Sequence, residues 1–364
     1  MTPLSLGATA LLIAATAISA AENELTWHDI RDFGVEGRAF DDTEVYFDRL
    51  PARAKELVRG PVWSLSRDSA GMAVRFVTDA TTIHARWELK DAGLAMDHMA
   101  ATGVSGLDLY AKSPDGEWRW LGVGRPKKFP VNEAVLASGI APGEREYLIY
   151  LPLYNGVKSV EIGVEKTKTV SKAPDYPIQQ RKPLLFYGTS ITHGACASRP
   201  GMTHSAILGR RFKRPIINLG FSGNGRMEIE VARLIAEIDA AVYIIDCLPN
   251  IDAKAVAERT EPLVRHLRTA RPDTPILLVE DRNYSNSHLI PARRERNESS
   301  QAALKVAFMR LQKDGVTGIY YLEGRNMLGD DFDGTVDSSH PNDLGFWRQA
   351  NHFEQALRKI PGLR

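Results

Sequence analysis

The chain has 364 residues, enough for two domains, and its 43% hydrophobic and 25% charged residues are those of an ordinary globular protein. Its 46 Lys and Arg against 45 Asp and Glu leave a formal net charge of +1, which gives no electrostatic reason to expect nucleic acid or an anionic membrane as partner. Two cysteines exclude the disulfide framework of a small secreted domain and a cysteine-built structural zinc site.

Residues 1–21 carry no charged side chain. The apolar run Ala8 to Ala17 has the length of a signal-peptide core, and Ser19-Ala20-Ala21 supplies small residues for cleavage. The run is short for a spanning helix. The expectation is a signal peptide over 1–21, a periplasmic or secreted protein, and no stable membrane insertion.

Residues 22–170 read as an antiparallel β domain. Met72, Val74 and Phe76 alternate with polar neighbours, as do Ile83, Ala85, Trp87 and Leu89. Leu107 with Leu109, Trp118 with Trp120, Tyr147 to Leu153, and Val160 to Val164 repeat the period of two. Turn signals such as Ser113-Pro114-Asp115-Gly116 and Tyr154-Asn155-Gly156 separate them. Many short strands at this spacing predict a β-sandwich or jelly roll, with one short helix near Pro51 to Leu57.

Residues 171–182, within a Lys- and Pro-rich stretch, are the expected linker. The period then changes. Strand-like runs at 184–188, 215–219, 241–246, 275–280 and 318–322 alternate with helical stripes, among them Met227 to Ile238, Val256 to Leu267, Leu304 to Leu311 and Phe346 to Leu357. Uniformly apolar strands between helices predict an α/β domain over 183–364, with a parallel sheet covered on both faces.

Four polar stretches fall at the C-terminal ends of these strands or in the last loop, where open α/β sheets place their sites. They are Gly188-Thr189-Ser190, Ser222-Gly223-Asn224-Gly225, Pro249-Asn250 and Asp337-Ser338-Ser339-His340. A serine hydroxyl needs a base to become a nucleophile, and histidine backed by a carboxylate is such a base near neutral pH. Asp337 and His340, three apart, reach a common face within one turn. Taken singly, each stretch has a plainer reading: Ser190 and Asn250 as helix caps, Gly223 as a turn, Asp337 and His340 as a polar loop.

Together, the order and spacing of these residues resemble the SGNH (GDSL-type) hydrolase family. Gly106-Leu107-Asp108-Leu109-Tyr110 is similar to the G-x-D-L-Y stretch of a β-rich domain that precedes certain SGNH esterases. The resemblance implies a flavodoxin-like fold and a Ser190–His340–Asp337 triad without metal or organic cofactor. It also implies an oxyanion hole from the backbone N–H groups of Ser190 and Gly223 and the Asn250 side chain. The chain departs from the commonest pattern in reading G-T-S for G-D-S and Pro249-Asn250 for G-x-N-D. Neither change removes a catalytic group.

His193, Arg199 and Glu280 are candidate substrate-binding residues. Arg293-Arg294-Glu295-Arg296 reads as a solvated helix face, and the remaining histidines show no metal-ligand spacing. In the strand order 2-1-3-4-5, Cys196 and Cys247 follow neighbouring strands, so a disulfide between them is a candidate. The functional expectation is an exported serine esterase acting on an ester of a small molecule or polysaccharide, foremost O-acetyl groups of a carbohydrate. Trp63, Trp87, Trp118 and Trp120 are candidates for stacking on sugars or for core packing. The rival readings are a lipid, aryl-ester or thioester hydrolase of the same fold, and a non-catalytic carbohydrate-binding protein.

Overall fold

The computed structural model describes residues 24–363, so the expected signal peptide lies outside the described residues. Among the described residues no helix is long and apolar enough to cross a membrane.

Ten strands build the N-terminal part: β1 (Leu25–Asp29), β2 (Val35–Glu36), β3 (Ala73–Thr78), β4 (Thr82–Leu89), β5 (Leu107–Lys112), β6 (Trp118–Gly124), β7 (Val131–Ser138), β8 (Arg145–Tyr150), β9 (Val157–Glu165) and β10 (Val170–Lys172). They form two antiparallel sheets, β1-β9-β4-β7 and β10-β3-β8-β5-β6, with β2 added to β3. The inward faces supply one core: Ile83, Ala85, Trp87, Val160 and Ile162 from the first sheet meet Val74, Phe76, Leu107, Leu109 and Ile149 from the second. This is the predicted sandwich, and period-two burial drives it. Two short helices, α1 (Gly60–Leu65) and α2 (Ala101–Val104), lie in its connections. The helix expected near Pro51 is a single 3-10 stretch, Ala52–Glu56.

The C-terminal sheet contains β11 (Leu184–Gly188), β12 (Ile216–Gly220), β13 (Val242–Asp246), β14 (Ile276–Val279) and β15 (Ile319–Leu322), parallel in the order β12-β11-β13-β14-β15. That is the flavodoxin-like order. The helices are α3 (Ser190–His193), α4 (His204–Phe212), α5 (Ile229–Ala236), α6 (Ala253–Ala270), α7 (Pro291–Lys313) and α8 (Asp343–Leu357). Strand residues alternate between two cores. Leu185, Tyr187, Tyr243 and Ile245 pack with α5, α6 and α7. Leu184, Phe186, Val242 and Ile244 pack with α4 and α8. Both faces being buried explains why these strands are apolar throughout.

The two parts share cores. Phe40, Leu50, Ala54, Val58 and Val62 of the N-terminal part enter the core containing Leu219 and Phe221. Met99, Val104 and Leu153 pack with Ile191, Ala197 and Phe346. The stretch expected as a linker is itself docked. Its first residues belong to β10, paired with β3, and the Tyr176 hydroxyl donates to Glu36 Oε2 at 3.0 Å.

Candidate active site

Strand β11 ends at Gly188, and Thr189 caps α3, its Oγ1 accepting the Ile191 N–H at 3.3 Å. Ser190 therefore opens the short helix at the C-terminal edge of the sheet. The Ser190 carbonyl accepts the N–H groups of Gly194 and Ala195, both at 2.9 Å, and the Tyr154 hydroxyl at 3.2 Å. Tyr154 comes from the sandwich, so both parts of the chain fix this turn.

The loop between β15 and α8 delivers the base. It closes on itself through Val336 N–H to the His340 carbonyl at 3.0 Å and Asn342 N–H to the Gly334 carbonyl at 3.1 Å. Asp337 and His340 are brought together by a non-helical bend, in place of the expected helical turn. Asp337 Oδ1 accepts the N–H groups of Ser339 at 3.0 Å and His340 at 2.8 Å. Asp337 Oδ2 lies 2.7 Å from His340 Nδ1, and His340 Nε2 lies 2.8 Å from Ser190 Oγ. The carboxylate assigns the proton to Nδ1, so the Nε2 lone pair faces the Ser190 hydroxyl. Partial burial acts to raise the Asp337 carboxyl. The His340 N–H, the His340 ring and the Ser339 N–H outweigh it and hold the group below its ordinary value. It is a carboxylate at neutral pH. A hydroxyl, an imidazole acceptor and an orienting carboxylate in one line form a relay for activating a nucleophile.

Gly223 and Asn250 belong to the same loop cluster. The turn after β12 returns to β11 through Phe221 N–H, which donates to the Gly188 carbonyl at 2.9 Å. Gly223 has φ +67°, a left-handed conformation that favours glycine. The N–H groups of Asn224 and Gly225 face one end of the Asn250 amide at 3.0 and 3.2 Å, so that end is its oxygen. The competing orientation offers only a 3.4 Å contact to the Phe221 carbonyl. The amide NH₂ is then left as a donor on the other side. Asp252, not Asn250, caps α6, accepting the Ala255 N–H at 2.8 Å.

The three candidate substrate contacts are engaged elsewhere. His193 is fully buried, stacked on Tyr154 at 4.1 Å between ring centroids, with Nε2 3.4 Å from Arg49 Nη2. Burial and the Arg49 charge hold its imidazole well below the ordinary value, so it is neutral. Arg199 Nη1 donates to Asp108 Oδ2 at 2.8 Å and to the Tyr110 hydroxyl at 2.5 Å, the D and Y of the G-x-D-L-Y stretch. Asp108 also accepts Gly201 N–H at 2.8 Å and Trp120 Nε1 at 2.9 Å, so this cluster ties the two parts together. Glu280 accepts the Tyr321 hydroxyl at 2.6 Å and Gly324 N–H at 2.9 Å, bracing β15. Trp87 is core, while Trp120 stays half exposed.

The cysteines are free. Cys247 sits in the core with Tyr187 and Phe221, whereas Cys196 lies near His98 and His340. The strands are neighbours as expected, but the two side chains go to different surroundings.

Two arginines missed in the sequence support the site. Arg49 is buried and donates to the carbonyls of Asn218 at 3.0 Å, Gly220 at 2.8 Å and Asp68 at 2.9 Å. Arg296, expected on a solvated face, donates to Leu248 at 2.9 Å and Ile251 at 2.6 Å and braces the turn that carries Asn250. A buried arginine has no local signal, because its partners are backbone carbonyls distant in sequence.

Comparison with known proteins adds the family. Residues 181–358 match the GDSL-like lipase/acylhydrolase family, and residues 25–170 match GxDLY, the N-terminus of SGNH-hydrolase-type esterases. No curated protein matches the chain. A Bacteroides ovatus ATCC 8483 structure described as a GDSL-like lipase is 36% identical with a TM-score of 0.88, over 94% of this chain and 99% of that one. The salicylyl-acyltransferase SsfX3 of a tetracycline biosynthetic pathway is 19% identical with a TM-score of 0.72, over 93% and 96% of the two chains. A family two carbohydrate esterase from Cellvibrio japonicus shares the fold at 15% identity and a TM-score of 0.59, over 93% and 98%. The chain belongs to the GDSL-like lipase/acylhydrolase (SGNH hydrolase) family and is an esterase acting on carboxylic ester bonds.

Proposed function

We propose that the protein is an exported serine esterase that removes acyl groups, foremost acetyl, from a carbohydrate. The observation that carries the catalytic part is the unbroken line from Ser190 Oγ to His340 Nε2 at 2.8 Å and from His340 Nδ1 to Asp337 Oδ2 at 2.7 Å. His340 takes the Ser190 proton as Oγ attacks the ester carbonyl. Asp337 holds the imidazole in the right tautomer and stabilises its cation. The N–H groups of Ser190 and Gly223 and the Asn250 amide receive the oxyanion. His340 then protonates the departing alcohol, and water cleaves the acyl-enzyme.

Two things support a sugar ester. The loops around Ser190 carry Ser222, Asn224, Asn250, Ser338 and Ser339, short polar groups suited to a hydroxylated substrate. The fold is also that of family two carbohydrate esterases, one of which, from Clostridium thermocellum, is described in complex with cellohexaose. Export belongs to the same proposal and rests on the pattern of residues 1–21. N-terminal sequencing of the mature protein tests it, with cleavage after Ala21 or nearby expected.

The decisive experiment compares acetate release from acetylated glycans with hydrolysis of long-chain and aryl esters. Preference for a long-chain ester would overturn the sugar reading. Ser190→Ala and His340→Ala should each lower kcat on p-nitrophenyl acetate by at least about 10³-fold. Near-normal turnover by either variant would reject the triad.

A further inference from the structure

We infer that His98, Cys196 and His340 form an inhibitory site for a borderline-soft divalent cation, Zn²⁺ foremost, whose binding silences the enzyme. The silencing, though not the site, rests on the triad reading above. One ring nitrogen of each histidine and the Cys196 Sγ lie within 4.8 Å of one another. Zinc takes nitrogen at about 2.0 Å and thiolate sulfur at about 2.3 Å, so a shift of roughly 1 Å brings all three into a common shell. His340 Nδ1 is held by Asp337 at 2.7 Å, which leaves Nε2 as the ligand. The carboxylate behind a ligating imidazole is the usual support of zinc-bound histidine.

The three groups are already positioned. His98 is exposed at the tip of a two-residue turn, closed by mutual hydrogen bonds between Met96 and Met99 at 3.1 and 3.0 Å. Met99 anchors that turn among Ile191, Ala197 and Phe346. The His98 ring meets the His340 ring edge-on at 5.8 Å between centroids. Cys196 is held at φ +71°, a left-handed conformation that disfavours a non-glycine residue. Its loop is clasped from both sides, by Asp343 accepting Ser198 N–H at 2.9 Å and by Thr102 donating to the Ser198 carbonyl at 2.5 Å.

Binding involves no redox change. The Cys196 S–H bond breaks, the proton goes to water, and sulfur bonds to the metal. The His340 Nε2 lone pair leaves the Ser190 hydroxyl for the cation, so Ser190 loses its base. Water or Ser190 Oγ completes four-coordination. Two nitrogens and one sulfur disfavour the oxygen-seeking Mg²⁺ and Ca²⁺.

The probe is Co²⁺, whose thiolate charge-transfer absorption reports a Co–S bond without reference to activity. Wild type and Ser190→Ala should both develop that band on adding Co²⁺, and Cys196→Ala should not. The Ser190→Ala result tests the site even if the esterase reading fails. Separately, Zn²⁺ should inhibit p-nitrophenyl acetate hydrolysis and a chelator should restore it. Mg²⁺ and Ca²⁺ should have no effect. His98→Ala, a change on an exposed turn, should keep metal-free activity and raise the inhibition constant by about tenfold or more. Absence of the thiolate band in wild type, or equal zinc inhibition of wild type and His98→Ala, would overturn the proposal.

Discussion

Gly223 and Gly225 stand two residues apart and carry different burdens. At Gly223 a Cβ would meet nothing within 4 Å, so only its φ of +67° resists a side chain. Gly223→Ala should fold with a stability loss of about 1–2 kcal/mol. Its kcat should fall under the proposed mechanism, because relaxing φ re-aims the N–H that this mechanism assigns to the oxyanion. At Gly225 a Cβ would lie 1.8 Å from the Gly188 carbonyl oxygen, so Gly225→Ala must push the turn off β11. The expected contrast is a folded, impaired Gly223 variant and a poorly folded Gly225 variant, read by thermal melting and by kcat on p-nitrophenyl acetate. Equal melting temperatures for the two would contradict it. Asn250→Ala removes a donor without straining the backbone, so it should cost about 10²–10³ in kcat while the fold persists.

At the scale of elements, α7 does more than cover the sheet. Arg296 holds three carbonyls of the turn before α6, those of Leu248, Pro249 and Ile251. Arg296→Ala should let that turn drift, lowering kcat by about ten- to a hundredfold with little change in KM. Arg296→Lys should recover part of the loss, whereas a purely structural role would lower the melting temperature and leave the kcat of the folded fraction intact. The elements themselves were legible wherever burial is periodic. The five parallel strands announce themselves by continuous apolar runs, and β3, β4, β5, β8 and β9 by alternation. Strand β7 did not, since Val131 and Val135 face solvent on it and its pairing with β4 slips at Ile83 and His84. Helix α4 did not either, because His204, Ser205 and Gly209 are buried on it and blur the apolar stripe. Ser190, Gly223, Asn250, Asp337 and His340 were legible as an ordered set at strand ends. The structural partners of His193, Arg199 and Glu280 were not legible, because polar residues near a site also serve as struts and sequence does not say which way a side chain turns.

Across the whole molecule, the sandwich and the α/β part meet around Arg49 and Asp68, and this contact predicts a pH dependence. Burial pushes the Asp68 carboxyl up to about 6, against the opposing pull of Arg49 and Lys90. In the unfolded chain the group titrates near ~3.9. The folded protein therefore binds this proton more tightly, and the stability it contributes is full below about pH 4 and lost as pH rises through about 6, an effect on the order of 3 kcal/mol. Two of the groups facing it keep their charge state over that window. Arg49, lowered to about 10 by its own burial, remains a cation. His193, 3.5 Å from Asp68 Oδ2, is held neutral. Asp68→Asn keeps the shape and removes the titration. Wild type should thus lose melting temperature relative to this variant between pH 4 and 6, and the difference should level off above. A difference that stays constant from pH 4 to 7 would show that the Asp68 carboxyl keeps the same affinity for its proton when the two parts close over it.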